Sequence, residues 1–436
     1  MPLLSAASRP RQVIAWAFYD WANSAFATVV IAGFFPVFFS QFWASELPDA
    51  KSTQWLGYAS SAASLLLVLS APILGALADQ LGAKKRFLLG FTLLGLLATG
   101  ALSWVGAGQW QTALLLYLAG LLGFFGSNIF NDALITDVAA PRDYARASSL
   151  AYALGYLGGG LLFAFFVLMV LMPERFGLAD ESAAVRLAFL GVALWWALFT
   201  LPLLLFVPES KGLGQKTLPR AVRGAFRELA QTFRAIRTLP NTFLFLLAYW
   251  FYIDGVDTLM FMAVKYGLDL GFASSSLMVA LLITQFIGFP AALAFGRLGS
   301  HFGPKPAILF AIGIYILVIA AASQMTRVEH FYVLAAAIGL VQGGIQALSR
   351  ALFASLIPAG QTAELFGFYN MVGKFAAVLG PFLVGTTAAL SGDPRLALLP
   401  ILLLFLLGAA LLWRVDVAAG RAAATATTAV LSGPQR

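Results

Sequence analysis

Gly75-Ala-Leu-Ala-Asp79-Gln-Leu-Gly82-Ala-Lys84-Lys85-Arg86 is a short polar interruption between two apolar runs, roughly 55–78 and 87–107. Each run has at least the roughly 20 residues that a membrane-crossing helix needs. Gly75 permits close helix contact, and Gly82 permits a tight turn. Asp79 is an acceptor able to face a helix amino terminus. Lys84 and Lys85 are expected to anchor the loop at lipid headgroups.

Ten more runs of the same kind flank this pair. The twelve are roughly 13–39, 55–78, 87–107, 110–135, 148–172 and 185–207, then 241–265, 274–297, 305–325, 330–352, 364–390 and 395–415. A backbone in lipid must satisfy its own hydrogen bonds, so the runs read as helices. The alternating segments of about ten residues that a β-barrel needs are missing. Composition agrees: of 436 residues 61% are hydrophobic and 11% charged, with mean hydropathy +0.87. A soluble domain carries roughly 25% charged residues, so an ordinary soluble enzyme is excluded. The chain has no cysteine, which removes disulfides, thiolate metal sites and iron–sulfur clusters together. His301 and His330 form no metal or triad constellation, and no metal, cofactor or catalytic activity is expected. The first run follows Arg9 and Arg11 but is too long for a signal-peptide core and contains Asp20 and Asn23, so it reads as a retained helix.

With both termini on one side, 20 of the 27 Lys and Arg residues fall on that side. Six fall on the other (Lys51, Arg175, Arg186, Lys265, Arg327, Arg395), and Lys374 lies inside a span. Cytoplasmic loops carry such an excess, so both termini are expected in the cytoplasm. The net charge of +8 is then explained by an anionic leaflet, without nucleic acid.

The spans group as a first half, 1–207, and a second half, 241–415. Between them lies a basic linker, 208–240, and after them a tail, 416–436, expected to be disordered. Within the linker, 219–237 reads either as an amphipathic surface helix or as a solvated connection. The halves repeat. Gly75, Asp79, Gly82 and Lys84 recur 221 positions later as Gly296, Ser300, Gly303 and Lys305. Gly126, Pro141 and Tyr152 recur 217 positions later as Gly343, Pro358 and Tyr369. Asp20 and Asn23 recur 234 positions later as Asp254 and Asp257. The expected fold is all-α and membrane-embedded: twelve helices in two pseudo-symmetric six-helix halves, the architecture of major facilitator transporters.

The 75–86 loop resembles the signature of that superfamily, G-x-x-x-D-(R/K)-x-G-(R/K)-(R/K), with Gln80 in place of a basic residue. The resemblance implies a gate built from Gly75, Asp79, Gly82, Lys84 and Lys85. In the second copy Ser300 replaces the acid, so the gate is expected to be asymmetric. Two further stretches narrow the family. One is Trp16-Ala-Phe-Tyr19-Asp20-Trp21-Ala-Asn23-Ser24-Ala-Phe26. The other comprises Gln342-Gly-Gly344-Ile-Gln346-Ala-Leu-Ser349-Arg350, Glu364-Leu-Phe366-Gly367-Phe368-Tyr369-Asn370, Gly373-Lys374-Phe375 and Gly380-Pro381. Together they resemble the vacuole-effluxer family, the autophagy-related vacuolar amino-acid exporters of fungi and their bacterial relatives. The resemblance implies a secondary transporter in a bacterial cytoplasmic membrane, exporting a small zwitterion such as an amino acid. An efflux transporter or flippase for an amphiphilic drug or lipid is the alternative. A monomer is expected, with the small-molecule substrate and membrane lipid as its partners.

A charge within a span costs about 2.5–3.5 kcal/mol on insertion scales, so it usually faces a cavity. Asp20 and Asn23 share one helix face, as do Asp254 and Asp257 on the seventh span. These acids are candidates for holding a proton or a substrate ammonium, with Lys374 as counter-charge. Asn128, Asn131 and Asp132 form a polar stripe near one end of the fourth span. Gln342 and Gln346 share a face of the tenth, and Asn370 lies in the eleventh. Asp132 and Arg350 are placed at the gate. Structural helix–helix pairing is the plain alternative for all of these groups.

Overall fold

The computed structural model describes residues 9–47, 49–209, 239–269, 272, 274–359, 361–391 and 398–431. The described residues are helical, with no strand among them. In chain order the long helices are α1 (Pro10–Trp43), α2 (Asp49–Leu81), α3 (Lys84–Ala101), α4 (Trp110–Ala133), α5 (Tyr144–Leu171) and α6 (Glu181–Phe206). The second set is α7 (Pro240–Asp269), α8 (Ser274–Phe302), α9 (Pro304–Ala322), α10 (Val328–Leu356), α11 (Thr362–Ser391) and α12 (Leu399–Arg414), followed by α13 (Val417–Leu431). Helices α1 to α10 carry ten stretches long and apolar enough to cross a membrane. Helices α11 and α12 occupy the eleventh and twelfth expected runs. The protein is an integral membrane protein. Its outer surface says the same: Leu97 is 73% exposed, Leu205 72% and Trp413 74%, a surface that only lipid can cover.

Local chemistry sets the ends. Proline stands at the start of α1 and α9, where its missing N–H is harmless. Asp180 caps α6, its Oδ1 accepting from Ala183 N at 2.7 Å. The α2–α3 and α8–α9 turns pivot on Gly82 (φ +57°) and Gly303 (φ +89°), backbone conformations that exclude most side chains. These two glycines are the repeat read from the sequence. α1 runs beyond its expected end and widens into π turns over Phe26–Phe34 and Phe39–Trp43.

In the first half α1 packs on α5 and α6, and α3 on α4; in the second, α8 packs on α10 and α7 on α12. The halves meet along α2 against α11 and α5 against α8. The side that bears the two glycine turns and both described termini is called the basic side below.

Two expectations change here. Lys84 and Lys85 do not reach for headgroups. Lys84 is buried, and Lys85 Nζ donates to the α6 carbonyls of Leu204 (2.8 Å) and Val207 (2.7 Å). Lys305 does the same for α12, donating to Trp413 O (2.7 Å) and Val415 O (2.8 Å). A cation at a helix carboxyl end satisfies orphan carbonyls and complements the dipole. The tail is not disordered over 417–431: it is α13, bent 65° from α12. Asp416 Oδ1 caps it through Ala419 N (2.9 Å), and Arg421 and Thr428 fasten it to Ser355 and Ala359. Small, alanine-rich helix formers behind a good cap account for the order. The amphipathic reading of 219–237 falls outside the described residues.

Candidate functional site

Arg350 lies six residues from the basic-side end of α10 and is 2% exposed. Its fork is fully engaged. Nη2 donates to Asp20 Oδ2 of α1 at 3.1 Å, Nη1 to Asp132 Oδ1 of α4 at 2.9 Å, and Nε to Ser148 Oγ of α5 at 2.8 Å. The guanidinium is sandwiched by aromatic rings, 4.9 Å from the Trp16 ring and 4.6 Å from that of Tyr152. One second-half cation is thus seated in a socket of three first-half helices, α1, α4 and α5.

The carboxylates are themselves held. Asn131 Nδ2 donates to Asp20 Oδ1 at 2.8 Å, and Asn370 Nδ2 of α11 reaches Asp132 Oδ2 at 3.3 Å. Asn23 hydrogen-bonds Asn128. Trp16 Nε1–H donates to Asn131 O at 2.7 Å, which fixes α1 against α4. Five of the residues singled out from the sequence therefore meet in one network, Asp20, Asn131, Asp132, Arg350 and Asn370, and two more, Asn23 and Asn128, pair with each other beside it. The stripe at i, i+3 and i+4 on α4 places its groups on the α1 face.

Asp254 does not join it. Asp254 is fully buried within the second half, where its Oδ1 accepts from Gly380 N of α11 at 2.9 Å and from Thr258 Oγ1 at 3.2 Å. The counter-charge of Asp20 is Arg350. The side chain of Lys374 lies outside the described residues. Gln342 and Gln346 are half-buried on α10, apart from the network.

Nearer the basic-side surface stands a second joint. Asp79 Oδ2 accepts from Glu364 N in the first turn of α11 at 3.0 Å, an acid against a helix amino terminus. Lys84 Nζ meets Thr362 Oγ1 at 2.7 Å, Asp137 Oδ2 at 3.1 Å and Asp79 Oδ1 at 3.7 Å. Gly75 makes the approach possible, since a Cβ there would stand 2.8 Å from Glu364 Cα. In the second copy Ser300 Oγ accepts from Arg146 Nε at 3.1 Å, and α8 meets α5 through Gly296 on Ser149 and Gly299 facing Ala145. At mid-depth Gln285 of α8 donates to Thr28 of α1 at 2.7 Å. Glu209, just past α6, accepts from Lys85 N at 2.7 Å, and burial raises its carboxyl above the ordinary glutamate value.

Sequence reasoning missed Asp137, Ser148, Thr362, Trp16 and Tyr152 as members of these joints. Two of them carried a signal, Tyr152 as the repeat partner of Tyr369 and Trp16 as the first residue of the Trp16–Phe26 stretch. His301 and His330 are exposed, and no cluster of potential metal ligands occurs among the described residues.

The model of the family described as vacuole effluxer Atg22-like matches residues 49–143 and 136–425. The chain belongs to that family. It is 38% identical over 92% of its length to an uncharacterised MFS-type transporter of Bacillus subtilis, 94% of which is covered. It is 28% identical over 64% of its length to autophagy-related protein 22 of Cryptococcus neoformans, of which the match spans about half (51%). Among solved structures, the human organic anion transporter MFSD10 aligns over 92% of this chain and 99% of that one, with TM-score 0.68 at 17% identity. FucP in its outward conformation aligns over 93% and 98%, with TM-score 0.69 at 13% identity. The fold of this family member is that of the major facilitators, and the chain is a transporter of that type, not an enzyme.

Proposed function

We propose that the chain exports a small zwitterionic solute such as an amino acid by alternating access. The observation that carries the reading is the Arg350 site: one guanidinium and two carboxylates, buried between halves that must part. A zwitterion bears the same two kinds of charge. Its carboxylate replaces Asp20 or Asp132 on Arg350, and its ammonium takes the carboxylate so released. The halves lose their own ionic joint as the solute supplies one, so binding energy is spent on opening. The basic side faces the cytoplasm of a bacterial cell, and the joints at Asp79 and Arg350 close that side in the conformer described here. The protein works as a monomer.

Counterflow of labelled amino acids in proteoliposomes tests this. Saturable exchange that disappears in Asp20→Asn and Arg350→Lys is the expected result. Exchange of an amphiphilic dye, with none for any amino acid, would replace the zwitterion by the amphiphile reading. Proton coupling through Asp254 and Asp257 is part of the proposal. It is abandoned if Asp254→Asn and Asp257→Asn leave the pH dependence of transport unchanged.

A further inference from the structure

We propose that a crevice between the start of α9 and the α12–α13 bend binds the phosphate of an anionic membrane phospholipid, a site independent of the transport reading. The crevice measures about 520 Å3 and lies on the basic side, bounded by Phe302, Lys305, Trp413, Arg414, Asp416 and Arg421 among others. Its charge is unbalanced. Lys305, Arg414 and Arg421 face one acid, Asp416, whose carboxylate is already committed to capping α13. Arg421 uses Nε on Ser355 Oγ at 3.2 Å, and among the described residues the rest of its fork is left for an anion. Its lip is apolar: Phe302, 64% exposed, ends α8, and Trp413, 74% exposed, nearly ends α12. Exposed aromatic rings at the ends of membrane helices mark the depth where acyl chains meet headgroups. A positive crevice with an aromatic edge at that depth matches a phospholipid, with phosphate above and chains below.

The other half of the molecule shows what belongs there. Lys85 Nζ on Leu204 O and Val207 O mirrors Lys305 Nζ on Trp413 O and Val415 O, so Lys85, one residue on from the Lys84 of the sequence repeat, is the structural counterpart of Lys305, each standing second in its helix. In the first half an anionic oxygen, Glu209 Oε1, sits on the Lys85 backbone N–H at 2.7 Å. In the second half Lys305 lines the crevice, and no protein acceptor meets its N–H among the described residues. Pro304 and Pro306 beside it have no N–H to offer. A lipid phosphate occupies in the second half the place that the Glu209 carboxylate fills in the first.

The test uses the full chain in nanodiscs of phosphatidylcholine alone or with phosphatidylglycerol. Phosphatidylglycerol should raise the unfolding midpoint by an amount on the order of a few degrees, because it binds the folded state. In Arg414→Gln/Arg421→Gln that rise, measured against the variant's own midpoint in phosphatidylcholine, should vanish. Arg142→Gln/Arg297→Gln, which removes two exposed basic-side charges outside the crevice, should keep the rise. Native mass spectrometry should show retained phosphatidylglycerol lost only in the crevice variant. Should that variant fold poorly, Arg414→Lys keeps the charge and should keep the rise. An equal rise in wild type and crevice variant overturns the site. The same rise from inorganic phosphate in phosphatidylcholine nanodiscs overturns the lipid as its occupant.

Discussion

On the basic side, α2 meets α11 and α5 meets α8, and the sequence repeat makes the two contacts counterparts. They are closed by different physics. At α2–α11 a buried acid and lysine, Asp79 and Lys84, grip the first turn of the facing helix and Asp137. At α5–α8 Ser300 stands in place of the acid, accepting from Arg146, and small residues let two helices slide close. A charge cluster out of water breaks as a unit, whereas a small-residue face changes by degrees. In the proposed transport cycle the first contact is the latch and the second the hinge, with Arg350 between them as the bolt that both must release.

The largest effect should come from the bolt. Arg350→Met leaves Asp20 and Asp132 buried without a counter-charge, a loss of about 3–5 kcal/mol for a broken buried pair. Transport should disappear and the basic side should stay open. The chain has no native cysteine, so maleimide labelling of a Ser149→Cys reporter measures that opening directly. Full transport in Arg350→Met would remove the bolt from the comparison. Next come the two glycines. Gly75→Ala would set its Cβ against the α11 backbone, 2.8 Å from Glu364 Cα, which has nowhere to go. Gly296→Ala meets the Ser149 side chain at 2.7 Å, which has some freedom to turn away. Labelling should rise much more in Gly75→Ala than in Gly296→Ala, and equal responses would erase the distinction between latch and hinge.

Ser300→Asp is a smaller test. It offers a carboxylate to Arg146 and should slow opening of the α5–α8 contact by the equivalent of about 0.2–1 kcal/mol, the range of a partly exposed pair. The smallest concerns Glu209. Its folded-state pKa is raised, so the folded protein holds the proton more tightly than the unfolded chain does. The group therefore opposes folding at neutral pH, and the penalty fades as pH falls through the raised value. Glu209→Gln should lift the unfolding midpoint slightly at neutral pH and flatten its acid dependence. A drop at neutral pH would mean that the Lys85 N–H bond outweighs the burial.

The fold was legible because lipid imposes one rule, apolar runs of fixed length, and because loops repeat their glycines. Gly82 and Gly303 announced their turns. The polar network was half legible. Asp20, Asn131, Asp132 and Asn370 stood out because charge and amide are rare in apolar helices. Arg350 stood out as well, at the gate, but its pairing with them did not, because pairing across halves depends on where α10 settles against α1, α4 and α5, and no local spacing encodes that. Asp254 shows the same limit from the other side. It repeats Asp20 in sequence, yet Gly380 supplies a backbone donor within its own half, so equivalent acids carry different loads. Lys85 looked like a headgroup anchor because a terminal lysine reads alike whether it points to lipid or to a neighbouring helix end.

The last helix offers a practical handle. α13 is pinned to Asn241, Ser355 and Ala359, all on one side of the molecular divide. It therefore rides as cargo on the C-terminal bundle and turns wherever that bundle turns. A dye fixed on its outer face, paired with another near Arg9, makes the stroke of the machine readable as a change in distance, one molecule at a time.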